Sequence, residues 1–208
     1  MKKLISIILA VSLLIFLVSC GGENNRSYDE AIVKAEAEKL IIRASKLNDV
    51  FWGDGIAYDE EGEANGVYYP ADKKYLSALG ASTVAEIVVM ASEVFSEGYI
   101  ASIYSSVFSS QSGDFAMAGY ARYYQGKDTI MVYSKYNPLL TDFVEYITSD
   151  IEVLYSKGEI VTVKVPIKVT RDGAVQSREI KVNLIEEKDG WRIDSPTYAV
   201  FDASKPAD

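Results

Sequence analysis

The chain has 208 residues, with 30 acidic and 21 basic side chains, a formal charge of −9, one cysteine and no histidine. That charge excludes nucleic acid as an expected partner, because phosphate backbones select basic patches. It also disfavours adsorption to anionic lipid headgroups. Cations, neutral glycans and basic protein surfaces remain as partners, and a net charge of this size also serves simply to keep a domain soluble. Without histidine there is no Ser-His-Asp or Cys-His catalytic set and no histidine-ligated zinc. One cysteine forms no internal disulfide, and no cofactor or metal is expected.

In chain order, Lys2 and Lys3 precede an apolar run from Leu4 to Val18, interrupted by Ser6 and Ser12. Its 15 residues make a helix of about 22 Å, short for a bilayer core of about 30 Å. A basic start, a short apolar run and small residues before a cut describe an export signal. Leu17-Val18-Ser19-Cys20 resembles the lipobox of bacterial lipoproteins. The resemblance implies cleavage before Cys20 and lipid on its sulfur, so residues 1–19 are expected to be the signal and 20–27 a lipidated cysteine with a short tether. Loss of Lys2 and Lys3 takes the formal charge from −9 to −11. The expected location is extracytoplasmic, held to the bacterial membrane by the lipid on Cys20.

One domain is expected over 28–201, with a flexible tail at 202–208. Ser27-Tyr28-Asp29-Glu30 has the S-x-x-E form of a capping box. Val33, Ala37, Leu40, Ala44, Leu47 and Phe51 follow at helical spacing, and the helix is expected to end before Gly53. Residues 52–63 carry five acids and three glycines and read as an exposed loop. Asp59, Glu60, Glu61 and Glu63 do not keep the alternating spacing of a calcium loop. Gly66 to Pro70 reads as a short strand. Thr83-Val84-Ala85-Glu86 is a second capping box leading to Ile87, Met90 and Val94, and a further helix after Ser96 carries Ile100, Ile103, Tyr104, Val107 and Phe108.

The second half changes period. Residues 120–134 read as a hairpin turning at Gly126-Lys127-Asp128, and 138–148 as a short helix. Ile151, Val153 and Tyr155 open a meander. Val161, Val163, Val165, Ile167 and Val169 then alternate with polar residues; Asp172-Gly173 turns the chain, and Ile180, Val182 and Leu184 alternate again before Lys188-Asp189-Gly190 and Trp191. Helices first and an antiparallel sheet after give an α+β domain, with N-terminal amphipathic helices packed on a curved antiparallel sheet.

The chemistry carried by these elements is that of surfaces. No GxSxG, P-loop or SxxK motif occurs. A hydrolase built on two carboxylates would need a facing pair, and Asp54, between two glycines, and Asp114 are the acids to check. The 15 tyrosines, 7 phenylalanines and 2 tryptophans offer apolar faces with polar tips, suited to glycan, peptide and protein interfaces. Adjacent strand residues face opposite ways, so one member of each Tyr-Tyr pair packs inward. Trp52, Tyr69, Tyr120 and Tyr124 are the candidate recognition surface.

Residues 159–198, with Gly190-Trp191-Arg192-Ile193-Asp194 near their end, resemble the closing strands of nuclear-transport-factor-like (cystatin-like) domains. The segments FWGDG (51–55), NGVYY (65–69) and FSEGYIASIYSSVF (95–108) are similar in order and spacing to the inhibitor family that restrains bacterial cell-wall DL-endopeptidases. That second likeness implies a non-enzymatic, envelope-facing protein that binds a cell-wall hydrolase or a wall glycan or peptide fragment. It carries over no inhibitory residue, and the 120–133 hairpin departs from the family's letters. A small-ligand-binding domain with a pocket between sheet and helices is the alternative expectation, and a carboxylate hydrolase the minor one.

Overall fold

The computed structural model describes residues 27–109 and 120–198. Helix α1 spans Glu30–Trp52, and its N-cap is Asp29, whose carboxylate accepts from the Ala31 and Ile32 amides. The expected cap was Ser27; the carboxylate two residues on is the better acceptor for orphan amides at a positive helix end. The six predicted face residues are all buried. The helix stops at Gly53, whose amide bonds back to the Asn48 and Asp49 carbonyls.

Strand β1 (Tyr68–Pro70) follows the acidic loop. Helix α2 (Lys73–Leu79) then appears where the sequence reading placed none. Its signals are purely terminal: Asp72 caps the Tyr75 amide at 2.8 Å and Gly80, at φ +80°, closes it. Seven residues are too few to show a period. Helix α3 (Val84–Ser92) has the predicted capping box, with Thr83 and Glu86 bonding reciprocally. Helix α4 (Glu97–Val107) is capped by Ser96. The bend between α3 and α4 also covers a sheet edge: the Ser96 amide donates to Ile193 O and the Ile193 amide to Val94 O, each at 2.9 Å.

The strands divide into two antiparallel sheets, not the single sheet the alternation pattern implied. The small one has order β1-β3-β2, from β2 (Tyr123–Gln125) and β3 (Ile130–Tyr133). The large one contains β4 (Phe143–Tyr146), β5 (Glu152–Lys157), β6 (Ile160–Arg171), β7 (Ala174–Glu187) and β8 (Gly190–Ile193). Its order is β4-β6-β7-β8, and β5 shares with β4 the same edge of β6. Hairpin β6–β7 turns on Asp172 (φ +51°) and Gly173 (φ +79°), the two positive angles that a tight hairpin of the right twist needs.

One further expectation is corrected. The stretch 138–148 contains strand β4, not a helix; Phe143, Val144, Glu145 and Tyr146 alternate exposed and half-buried against β6. The 3₁₀ turn Thr148–Asp150 then carries the chain from β4 towards β5. Pro166 lies in β6 between the residues paired to β5 and those paired to β4, where its missing N–H costs no ladder bond. Of the residues that open the meander, Tyr155 is exposed, because the register shifts between it and Val153.

The curled sheet with helices on one side makes an α+β fold compatible with the nuclear-transport-factor-like (cystatin-like) architecture. Its core is one cluster joining α1 to the inner face of the large sheet. Ala37, Ile41, Ala44, Phe51, Val161, Val163, Val165, Val182, Leu184 and Ile193 retain no accessible surface. Side chains lining an enclosed pocket would retain some, so these residues meet protein on all sides.

Candidate functional site

The structure brings some of the predicted surface residues together and separates others. Trp52 belongs to the core, not to a surface. It is 4% exposed, its ring lies 6.4 Å from Phe51 and 5.8 Å from Tyr198, and its carbonyl accepts from the Leu139 and Leu140 amides. One residue past Phe51, it closes the buried side of α1. Tyr69 pairs with Val132, which pairs with the wholly buried Tyr123. Direct partners in a ladder share a face, so Tyr69 is on the inward face of the small sheet, at its β1 edge, stacked on Tyr58 at 5.5 Å.

Tyr120 and Tyr124 do lie together, and the sheet register adds Tyr68 and Tyr133. Tyr68 pairs with Tyr133, and Tyr124 with Met131 two residues away, so these side chains share the outer face. Tyr120 stacks on Tyr133 with centroids 5.0 Å apart and planes at 14°. Tyr68 meets Tyr124 edge-on at 4.8 Å and Tyr133 at 5.5 Å. The Tyr68 hydroxyl donates to Ala121 O at 2.8 Å, and Asn65 Nδ2 donates to the Tyr124 hydroxyl at 2.9 Å. Burial, then the neighbouring Tyr124, Tyr133 and Tyr120 hydroxyls, raise the Tyr68 hydroxyl above its ordinary range. Tyr120 is 45% exposed, Tyr68 and Tyr124 are half-buried, and Tyr133 lies beneath.

The acidic loop reaches the same side. Asn65 bridges to Tyr68, the Asp59 amide donates to Pro70 O, and Gly62 sits so close to the Pro70 ring that a Cβ there would fall 2.3 Å from its Cγ. Pro70 pairs with Met131 and so belongs to the tyrosine face. Asp59, Glu60, Glu61 and Glu63 are exposed at its margin.

Behind this face, β2 and the residue before it fasten the small sheet to the C-terminal end of α1. The Tyr123 hydroxyl donates to Val50 O at 2.7 Å and accepts from the Ile56 amide at 3.0 Å. Burial drives that hydroxyl strongly upward. Arg122, 3% exposed, donates to Gly53 O at 2.6 Å and lies 3.7 Å over the Tyr136 ring. The last turn of α1 has no basic residue of its own, so Arg122 supplies the cation that a helix C-terminus favours. Its Nε and Nη1 have no hydrogen-bond partner among the described residues. Nearby, the Tyr75 hydroxyl is pushed up to about 12 by burial first and then by Asp49, with Arg122 opposing and Asp54 adding.

Asp54 is exposed on the loop after α1. Asp114 and Cys20 lie outside the described residues. Among the described residues no group of three His, Cys, Asp or Glu side chains gathers as a metal site. An open groove of about 410 Å³ runs between α2, its exit at Gly80–Ser82 and the Asp128–Thr129 turn. Of the two acids in its wall, Glu86 and Asp128, Glu86 is occupied by the Ser82 and Thr83 amides and the Ser82 hydroxyl.

The sequence reading missed Tyr68, Tyr133 and Arg122. Parity along β1 offered Tyr68 or Tyr69 equally; only the pairing to β3 decides between them. No family model matches the chain, and a search of curated proteins finds none that is similar.

Proposed function

We propose that the chain is a non-enzymatic, lipid-anchored extracytoplasmic protein that binds and modulates a cell-wall hydrolase, or a wall fragment, through the outer face of its small sheet. The observation that carries this reading is the gathering of Tyr68, Tyr120, Tyr124 and Tyr133 on one face, with Tyr120 half exposed at its front. Tyrosines add large contact area at little conformational cost and are enriched at interfaces. Their placement also suits a tether. α1 starts ten residues after Cys20 and runs 23 residues, about 34 Å, and the small sheet is fastened at its far end through Tyr123 and Arg122. A lipid on Cys20 would hold the near end at the membrane and leave the tyrosine face at the other.

The packing of Ile41, Ala44, Val163, Val165, Val182 and Leu184, which retain no accessible surface, weighs against the small-ligand alternative. The test uses the full chain in nonionic detergent as bait in envelope extract, with Tyr120→Ala/Tyr124→Ala beside it. The expected result is one wall hydrolase enriched by the native chain and lost with the double variant, and slowed wall digestion when the pure protein is added. Equal recovery by both baits, or no effect on digestion, would overturn the reading. Cys20→Ser is expected to move the protein from the membrane to the soluble fraction; retention on the membrane would remove the anchor from the proposal.

A further inference from the structure

Resting on that reading, we infer that the tyrosine face takes a cationic polypeptide surface, one presenting arginine or lysine side chains that stack on the tyrosine rings while their charges meet the loop 59–63. The face joins two features that call for the same partner. Tyrosine rings attract cations over their faces, arginine most of all. This chain already makes that contact internally, with the Arg122 guanidinium 3.7 Å over Tyr136. At the outer face the rings of Tyr120, Tyr68 and Tyr124 have exposed or half-exposed surface and no cation over them among the described residues.

The margin supplies the complementary charge. Asp59, Glu60, Glu61 and Glu63 stand exposed in five consecutive positions, and none of them is in an ion pair among the described residues. Other exposed acids of this molecule do find cations: Glu93 pairs with Arg43, Glu152 and Glu179 with Lys164, and Glu145 with Lys168. The loop is held in place, not merely near. The Asp59 carboxylate accepts from the Glu61 amide at 3.0 Å, the Asp59 amide is bonded to β1, and Asn65 reaches Tyr124. Against these four acids the β2–β3 turn brings Lys127 beside Asp128, and Lys135 follows β3. A second copy of this chain would bring the same acids to the contact and be repelled. An uncharged glycan would use the rings but leave the four carboxylates without a role.

The test is a titration of the full chain in nonionic detergent with a fluorescent arginine–glycine repeat peptide, its glutamate–glycine twin and a soluble N-acetylglucosamine oligomer, at low and high salt. The arginine peptide is expected to bind, with affinity falling as salt screens the contact. Tyr120→Ala should weaken it about two- to fivefold, as loss of one exposed cation–π contact does. Neutralising Glu60, Glu61 and Glu63 together to Gln should weaken it further and flatten the salt dependence. The control removes three exposed acids elsewhere (Glu38→Gln, Glu186→Gln and Asp189→Asn) and should leave binding within twofold of native, about the scatter of such a comparison. Equal losses in the two triple variants would mean attraction to net charge alone and would overturn the inference. So would binding of the glutamate twin, or of the sugar in place of the arginine peptide. If the arginine peptide fails while the envelope bait still captures a hydrolase through Tyr120 and Tyr124, the charge assignment is wrong and the binding function stands. If both fail, the function falls with it.

Discussion

The two sheets use their faces in opposite ways. The large sheet buries valines, isoleucines and Leu184 against α1 and turns lysines, glutamates and threonines outward, where Lys164 and Lys168 pair with acids of the neighbouring strands. The small sheet also has a buried side, with Tyr123, Ile130 and Val132, but its other side carries tyrosines in place of charges. A sheet needs only one apolar face to join a core. A second face that is aromatic and edged by unpaired acids adds little to folding and is suited to recognition.

Breaking the comparison should separate stability from binding. Leu184→Ala, in the sealed interior of the large sheet, is expected to cost about 2–5 kcal/mol, read as a fall in denaturant midpoint. Tyr120→Ala should cost no more than about 1 kcal/mol while weakening capture of the partner. Were Tyr120→Ala as destabilising as Leu184→Ala, the tyrosine face would be core and its proposed role would fail.

Two glycines sharpen the contrast. Gly55, at φ +82°, lies where the small sheet meets α1, and a Cβ there would come within 2.1 Å of Arg122 Nη2 and 2.3 Å of the Tyr123 hydroxyl. Gly173, at φ +79° on the tip of the β6–β7 hairpin, has nothing within 4 Å of its Cβ position. Gly55→Ala should therefore cost about 2–4 kcal/mol, strain plus overpacking. Gly173→Ala should cost the strain alone, about 1–2 kcal/mol. Equal costs in thermal unfolding would show that the junction at Arg122 and Tyr123 is loose.

The smallest effect is one of pH. Tyr75, beside that junction, has its hydroxyl raised from 10.0 to about 12. The folded chain thus holds the proton more tightly than the unfolded one. The stability this contributes is complete below pH 10 and is lost as pH rises from about 10 to about 12. Tyr75→Phe should flatten the alkaline part of the melting-temperature profile; an unchanged slope would assign the loss to other tyrosines.

Much of the fold was legible because it is locally encoded. The Thr83–Glu86 capping box, the stop at Gly53, the buried face of α1 and the alternation of β6 and β7 each follow from side chains within a few residues of one another. Helix α2 escaped because its evidence is two caps, and β4 because four residues show no decisive period.

The candidate site was legible only in its composition. The sequence by itself determined that tyrosines crowd the ends of the short strands, that one member of each adjacent pair must face inward, and that a run of acids follows α1. Which member faces inward was decided by tertiary structure: Tyr123 and Tyr69 on one side, Tyr124 and Tyr68 on the other. So was the burial of Trp52, and so was the use of Arg122 to close a helix through a carbonyl 69 residues earlier in the chain. The physical reason is the same in each case. A period of two fixes which residues share a face, but only the register with a partner strand, and the helix packed behind it, fixes which face meets the core.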